Sequence, residues 1–176
     1  MNKKEIIQRC AEFHGHICPG LLIGVNAALY AQQLLNLKHA EDEETVCISE
    51  NDACGVDAIQ VILGTSIGKG NLLFHMTGKD AYSFYNRKTG RSVRLILKPL
   101  PEGKTRDELI QYLTEAEPSL LFDAMATRIP VPEEASIFHD VRCEVCGEMT
   151  SEKYIRIQDG KKVCPDCFRK YNRFEA

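Results

Sequence analysis

The chain has 176 residues, 44% of them hydrophobic and 27% charged, a composition that indicates a globular fold and excludes an intrinsically disordered chain. The formal net charge of −3 gives no overall positive field to attract nucleic acid, and no apolar run is long enough to span a membrane. Eight cysteines occur without a recognisable secretion signal, which favours a cytoplasmic protein whose thiols bind metal or react rather than form disulfides.

Hydrophobic periodicity predicts the first elements of the chain. Pro19-Gly20 separates a short helix from a long, largely buried one, and a strand rich in β-branched residues follows. In chain order the predicted elements are a helix at residues 6–13, a helix at 21–37, a strand at 45–49, a helix at 56–63 and strands at 72–75, 81–85 and 92–97.

Two more helices are predicted after the last of these strands. Thr105 and Glu108 form a capping box for a helix that runs to about Ala116. Pro118 suits the first turn of a further helix that extends through Met125. Because the order of elements lacks steady strand–helix–strand alternation, it favours an α+β fold over a doubly wound one.

The composition changes near residue 141. Residues 141–176 carry eight Lys and Arg against six Asp and Glu, whereas the residues before them carry an excess of acid. Four of the eight cysteines also fall in this tail. We therefore predict an α+β core domain at residues 1–140 and a small module at residues 141–176.

The small module has the cysteine spacing of a structural zinc site. Two Cys-x-x-Cys pairs, separated by 17 residues, predict one Zn²⁺ bound by Cys143, Cys146, Cys164 and Cys167. Iron in a rubredoxin-like site is the chemical alternative. Asp159-Gly160 predicts a hairpin between the pairs, and Pro165 predicts a helix that carries the last ligands. Knuckle, hairpin and helix together outline a treble-clef finger.

Fingers of this kind also bind partners. The module carries basic side chains that could contact phosphates, at Lys161, Lys162, Arg169, Lys170 and Arg173. Acidic residues are interspersed among them, which weighs against nucleic acid and leaves a protein partner open. A purely structural finger is the alternative, since so few residues need a metal to fold.

Residues 13–20 (Phe-His-Gly-His-Ile-Cys-Pro-Gly) combine two imidazoles and a thiol. His14, His16 and Cys18 share the parity that places side chains on one side of an extended chain. Their glycine and proline neighbours indicate a shaped loop before the long helix. We predict that these three residues bind a second metal ion in the core; the alternative is a turn whose histidines are hydrogen-bonded for structure.

Residues 50–57 (Glu-Asn-Asp-Ala-Cys-Gly-Val-Asp) form a second cluster between a predicted strand and a predicted helix. Cys54 lies near the helix N-terminus, which favours its thiolate or metal-bound form. Asp52 is a candidate general base. Both are assigned as candidate catalytic residues, and helix capping by Asn51 or Asp52 is the alternative.

The glycine-rich segment at residues 64–71 differs from a nucleotide-binding P-loop. Three residues rather than four separate Gly64 from Gly68-Lys69, and Gly70 follows in place of Ser or Thr. The difference excludes a nucleotide-hydrolysing site. The segment can still hold a small anion, with Lys69, Gly68 and Gly70 as candidate binding residues; a pair of tight turns is the alternative.

Together, these motifs resemble the FmdE family, named for a component of formylmethanofuran dehydrogenase, the molybdenum or tungsten enzyme of methanogenic carbon metabolism. The matching stretches are residues 13–20, 50–60, 68–72 and 78–79. The resemblance covers roughly the first hundred residues and implies an α+β core, a homodimer and, in some members, an added C-terminal treble-clef finger. The chain departs from the family pattern at Thr65, where a cysteine is common, and this weighs against thiol chemistry there.

Two functional hypotheses follow. The first is a metal-binding protein whose core holds a metal ion and a small molecule, as an accessory to a molybdenum or tungsten enzyme. No molybdopterin-binding motif is recognisable, so dehydrogenase catalysis is not assigned to this chain alone, and whether the core is catalytic stays open. The second is a ligand- or metal-sensing regulatory protein whose finger contacts nucleic acid or a protein.

Overall fold

The structure, a computed structural model, describes residues 1–173 and divides the chain into two compact units. These units are Met1–Ala135 and Ser136–Ala176. Composition predicts a domain boundary between residues 140 and 141, and this start of the finger stays a prediction. Across residues 1–173, no helix is both long and apolar enough to cross a membrane.

The first unit alternates helices and strands irregularly, as an α+β fold requires. Its helices are α1 Lys3–His14, α2 Pro19–Leu35, α3 Gly55–Leu63, α4 Arg106–Glu115 and α5 Pro118–Leu121. Its strands are β1 Thr45–Ser49, β2 Leu72–Phe74, β3 Ala81–Asn86, β4 Arg91–Leu97 and β5 Phe122–Met125. The predicted α+β class is confirmed.

The strands form one sheet with the order β2-β1-β3-β4-β5. β1 and β2 are parallel and are connected through α3, whereas the other neighbours are antiparallel. The register pairs Cys47 with Leu72 on one side of β1 and with Phe84 on the other. Since β1 lies between β2 and β3 and is fully buried, the sheet fixes the position from which the next loop starts at Glu50.

The long helix α2 packs very closely against α3. A Cβ atom placed on Gly24 would lie 2.0 Å from the carbonyl oxygen of Gly55, so the two backbones touch where both residues lack a side chain. Most residues of α2 are buried, from Leu21 to Leu35. This contact holds the N-terminal ends of α2 and α3, and the loops before them, close together.

One prediction for the first unit is wrong. The helix that begins at Pro118 ends at Leu121 instead of extending through Met125. Residues 122–125 form strand β5, which pairs with β4 so that Phe122 faces Leu97. The open edge of β4 provides hydrogen-bond partners for the backbone of residues 122–125, and burial of Phe122 further stabilises the pairing.

The segment at residues 126–135, here named the strap, has no regular structure and lies against the sheet. Arg87 donates hydrogen bonds to the carbonyl oxygens of Pro132 (2.7 Å) and Glu133 (3.1 Å). The Tyr85 hydroxyl donates to the carbonyl of Ile129 (2.7 Å), and the amide of Ala135 donates to the carboxylate of Glu43. These contacts fix the strap to the rest of the first unit.

The second unit consists of two hairpins, β6 Asp140–Arg142 with β7 Met149–Ser151 and β8 Arg156–Gln158 with β9 Lys161–Val163. A short 3₁₀ turn, Glu152–Tyr154, lies between them. The turn of the second hairpin has positive φ angles at Asp159 and Gly160, as the Asp-Gly prediction requires.

The helix predicted after Pro165 is wrong for residues 164–173. The chain makes a turn in which the amide of Phe168 bonds to the carbonyl of Cys164. Beyond it, the side-chain amide of Gln158 donates to the carbonyl of Arg169 (2.7 Å) and accepts from its N–H (2.9 Å). Gln158 thus forms hydrogen bonds with the N–H and carbonyl groups of Arg169 that would otherwise be available for helical bonds. The predicted treble clef is not shown.

Candidate metal centres

The loop between α1 and α2 brings three candidate ligands together. One ligand atom each of His14, His16 and Cys18 can be chosen so that all lie within 4.8 Å of one another. His14 Nε2 lies 4.0 Å from Cys18 Sγ, and the two imidazole rings are 4.6 Å apart between centroids. These separations match two ligands on one ion, each at 2.0–2.3 Å from it.

This grouping arises differently from the predicted extended geometry. His14 is the last residue of α1, and Gly15 ends that helix with φ of +95°, a conformation that favours glycine. Cys18 is the N-cap of α2, and its Sγ accepts a hydrogen bond from the amide of Leu21 (3.4 Å). Two helix ends therefore position His14 and Cys18, and the parity of an extended chain does not account for the place of His14.

His14 has a carboxylate partner that the sequence did not single out. Its Nδ1 lies 2.7 Å from Oδ2 of Asp57, in the first turn of α3, and Gln60 donates to the other oxygen of Asp57 (3.2 Å). A carboxylate on one ring nitrogen fixes the tautomer and leaves Nε2 to bind a metal. In the sequence, the indication of a role for Asp57 was its position within the second motif, at residues 50–57.

Cys54 lies beside the three ligands. A Cβ atom on Gly20 would lie 3.3 Å from that of Cys54, so the start of α2 touches this thiol. Burial and the neighbouring thiol of Cys18 raise the pKa of Cys54. The expectation that the helix N-terminus favours the thiolate or metal-bound form of Cys54 stays a prediction.

The candidate catalytic residues share a cavity of about 360 Å³ with His14. Asp52 and Cys54 lie on its polar wall together with Asp57. Its apolar wall consists of Val56, Ile67, Leu72 and Phe74. Because Asp52 is exposed and makes no side-chain ion pair among residues 1–173, its carboxylate is available to a bound molecule.

The glycine-rich loop satisfies many of its own hydrogen bonds. The amide of Ser66 donates to Asn71 Oδ1 (2.8 Å), and Lys69 Nζ donates to the carbonyl of Ala40 (3.0 Å). Ile67 is the residue of this loop that lines the cavity. Anion binding by Lys69, Gly68 and Gly70 stays a prediction, and the observed bond of Lys69 does not aid it.

A buried ion pair anchors the loop that carries Asp52 and Cys54. Arg94 Nε and Nη2 donate to the two carboxylate oxygens of Glu50 at 2.5 and 3.0 Å, and Thr77 Oγ1 donates at 2.9 Å. The hydrogen bonds from Arg94 hold the pKa of Glu50 below its ordinary value. Sequence reasoning did not pair Glu50 with Arg94, which lies 44 residues away in β4.

The second unit contains a cluster of four thiols. The sulfur atoms of Cys143, Cys146, Cys164 and Cys167 all lie within 4.8 Å of one another. The amide of Cys164 donates to Cys143 Sγ (3.3 Å), and Gly147 adopts φ of +81° in the turn after the first pair. Backbone amides, that of Cys146 foremost, lower the pKa of Cys143 to about 6.

This cluster fits a tetrahedral zinc ion. Four thiolates are the ligand set of structural zinc, and hydrogen bonds from backbone amides to sulfur favour the deprotonated form that the metal needs. Around it, the unit buries little beyond Cys143, Val163 and Cys164. Folding of this unit therefore depends on the ion far more than on an apolar core.

Comparison with known families gives two matches. The model described as "FmdE, Molybdenum formylmethanofuran dehydrogenase operon" matches residues 13–144. The model of the prokaryotic dksA/traR C4-type zinc finger matches residues 136–173. The first match includes the His14, His16 and Cys18 cluster, and the second includes all four cysteines of the finger.

The chain is also similar to individual proteins. A probable S-adenosyl-L-methionine-binding protein of Archaeoglobus fulgidus is 27% identical over an alignment of 198 residues, which covers 94% of this chain. The alignment covers 53% of that protein, so the chain spans about half the length of its curated relative. The crystal structure of a tungsten formylmethanofuran dehydrogenase FmdE-like protein from Syntrophus aciditrophicus has a similar fold. Its TM-score is 0.69 at 24% identity, covering 95% of this chain and 92% of that one.

Proposed function

The chain belongs to the FmdE family, and from this premise we propose that its core binds a metal ion and a small molecule next to it. His14, His16 and Cys18 are the proposed ligands. The observation that carries the proposal is the approach of their ligand atoms to within 4.8 Å of one another. The hydrogen bond between His14 Nδ1 and Asp57 Oδ2 supports it, because it orients the ring so that Nε2 faces Cys18 Sγ, where one ion can contact both atoms.

The ligand set favours Zn²⁺ or another borderline transition ion, since imidazole and thiolate suit these metals better than Mg²⁺ or Ca²⁺. When bound, such an ion supplies a Lewis acid that polarises a carbonyl group or a water molecule. Asp52 is then the carboxylate positioned to take a proton, because Asp57 is bonded to His14 and Gln60. Cys54 lies within reach of the same cavity.

Metal content tests this proposal directly. Protein purified without oxygen and with a mild reductant is expected to contain two metal ions per chain. His16→Ala and Cys18→Ala are each expected to reduce this to one, whereas His75→Ala, an exposed histidine outside the cluster, keeps both. A single ion in the wild-type protein, or unchanged content in both variants, contradicts the core metal site.

We also propose an accessory role beside a molybdenum or tungsten enzyme of the formylmethanofuran dehydrogenase type. The support is the description of the family model, which refers to the operon of that enzyme. Affinity purification of the full chain from its natural host is expected to recover molybdenum or tungsten together with the protein. Absence of both metals from the purified material contradicts this role.

A regulatory function is the second candidate, favoured by the finger. The finger forms a compact unit of its own and matches the dksA/traR zinc-finger model. Lys161 and Lys162 in β9 present positive charge on an exposed hairpin. This function predicts binding to double-stranded DNA that weakens steeply with salt. If no DNA binds at low salt, the nucleic-acid form of this function is excluded and a protein partner remains the proposal.

The core is proposed to form a homodimer over the rim of its metal site. Large apolar side chains are exposed in the segments that carry the site and its cavity, at Phe13, Ile17, Ile67, Phe74 and Met76. Light scattering is expected to give twice the mass of the chain, and a monomer mass at micromolar concentration contradicts the proposal.

Both metal sites need reduced thiols, so we place the protein in the cytoplasm.

A further inference from the structure

Two free thiols, those of Cys18 and Cys54, lie together at the start of α2. Cys18 Sγ accepts a hydrogen bond from the amide of Leu21, 3.4 Å away. Cys54 Sγ would lie 3.7 Å from a Cβ atom placed on Gly20, the residue that precedes Leu21. Both sulfur atoms therefore lie against the same short stretch of backbone. Burial, followed by a side-chain interaction with the thiol of Cys18, raises the pKa of Cys54, as the proximity of the two groups requires.

The packing of α2 against α3 holds these thiols in place. Cys18 is the N-cap of α2, and Cys54 is the N-cap of α3. The two helices touch through glycine backbones, since a Cβ atom on Gly55 would lie 3.0 Å from the carbonyl oxygen of Gly20 and 3.1 Å from the amide nitrogen of Gly24. Because both thiols are anchored to helix ends that packing holds together, one sulfur reaches the other with little loss of conformational entropy.

Exposure differs among the thiols of the first unit. Cys54 is partly exposed and lies in the wall of the cavity of about 360 Å³ described above. Cys18 is 6% exposed, whereas Cys10 and Cys47 are both fully buried. A small oxidant can therefore reach Cys54 from the cavity, and Cys18 is the thiol next to it that can react in turn.

We propose that Cys18 and Cys54 are a modification site, at which a small disulfide such as oxidised glutathione drives formation of a reversible disulfide between them. The thiolate of Cys54 attacks one sulfur of oxidised glutathione, which forms a mixed disulfide and releases one reduced glutathione. The thiolate of Cys18 then attacks Cys54 Sγ and releases the second. Two protein thiols are thereby oxidised and one glutathione disulfide is reduced, and the two released glutathione thiolates take up the protons that the protein thiols lose.

This disulfide and the proposed core metal ion exclude each other. A sulfur atom in a disulfide is not a thiolate, so Cys18 leaves the ligand set and only the imidazoles of His14 and His16 remain of it. The exclusion rests on the proposed function, whereas the disulfide itself needs no metal. An excess of reduced glutathione restores both thiols, so the pair couples metal binding to the redox state of the surroundings.

Peptide mapping of the full chain tests the disulfide. The protein, with and without prior removal of metal by a chelator, is equilibrated with oxidised glutathione, and the remaining thiols are alkylated. Cleavage after glutamate, without reduction, then yields a separate peptide for each cysteine of the first unit, Cys10, Cys18, Cys47 and Cys54. We expect a cross-link between the peptides of Cys18 and Cys54 in the metal-free protein, and its loss on treatment with dithiothreitol. Cys10→Ala, which removes a buried thiol outside the pair, is the matched control and should give the same cross-link.

The outcomes distinguish this proposal from the proposed metal site. The disulfide is overturned if the metal-free protein gives no cross-link between Cys18 and Cys54, if cross-links to other cysteines are equally abundant, or if Cys54 stays bound to glutathione. Loss of the cross-link in protein that holds two ions per chain supports the exclusion, and an undiminished yield in that protein overturns it. If the purified protein holds one ion and the cross-link forms, the core metal site fails while the disulfide stands.

Discussion

At the scale of single residues, the bond between His14 and Asp57 decides how the core cluster can act. The two residues are 43 positions apart in the chain, and their side chains meet at 2.7 Å because α1 and α3 pack together. With Nδ1 directed at a carboxylate, the ring cannot rotate freely and Nε2 is turned towards Cys18. A metal ligand oriented in this way loses less freedom on binding than a mobile surface histidine.

Asp57→Asn tests this orientation. The amide keeps the size of the side chain but removes the negative charge, so we expect the core site to bind Zn²⁺ about 10–100-fold more weakly. Competition titration against a chromophoric chelator measures the affinity. Asp107→Asn, an exposed residue in the first turn of α4, is the control. Equal affinities for the wild type and Asp57→Asn would show that the carboxylate does not support the metal ligand.

Gly24 allows the close approach of α2 and α3. In Gly24→Ala the added Cβ would lie 2.0 Å from the backbone oxygen of Gly55, which cannot move away as a side-chain end can. We expect a loss of about 3 kcal/mol in the free energy of unfolding, at the upper end for overpacking. Urea denaturation measures it. Gly68→Ala, where the Cβ meets nothing within 4 Å, should change stability little.

At the scale of the elements, the buried pair of Glu50 and Arg94 joins the end of β1 to β4. Glu50→Gln leaves the Arg94 charge buried and without its partner, so we expect a loss of about 3–5 kcal/mol near neutral pH. Because the folded protein lowers the pKa of Glu50, the wild-type advantage is present above the ordinary value of 4.5 and is lost as the pH falls through the lowered pKa. The difference between the two proteins should therefore shrink in acid.

Urea denaturation at several pH values measures this difference. Glu102→Gln, an exposed acidic residue before α4, is the matched control and should follow the wild type at every pH. A gap between wild type and Glu50→Gln that stays constant down to strongly acidic pH would contradict the role given to the ionised carboxylate.

The sequence predicted elements whose periodicity is strong and local, such as α2, β1 and the capping box at Thr105 and Glu108. It failed for β5, since that strand exists only because β4 offers an open edge to residues 122–125. The ligands of the finger could be predicted from the sequence, because the two cysteines of each pair are separated by only two residues. The partners of His14 and Glu50 could not be, because tertiary packing brings them together over more than forty residues.

At the scale of the whole molecule, the two units depend on different sources of stability. The first buries a continuous apolar core around α2 and the sheet, whereas among residues 136–173 the buried ones are Cys143, Val163 and Cys164. Treatment with a strong chelator should therefore unfold the finger and leave the first unit folded. NMR of the full chain measures this, since amide signals from residues 136–173 should collapse to random-coil positions. Retention of their dispersion after zinc removal would contradict it.

The central claim is that the core binds a metal ion between α1 and α2. Anomalous diffraction from crystals of the anaerobically purified protein, recorded on both sides of the metal absorption edge, tests it most directly. We predict two anomalous peaks per chain, one among Cys143, Cys146, Cys164 and Cys167 and one within bonding distance of His14 Nε2 and Cys18 Sγ. A peak at the finger alone, in crystals supplied with Zn²⁺ at neutral pH, would contradict the account.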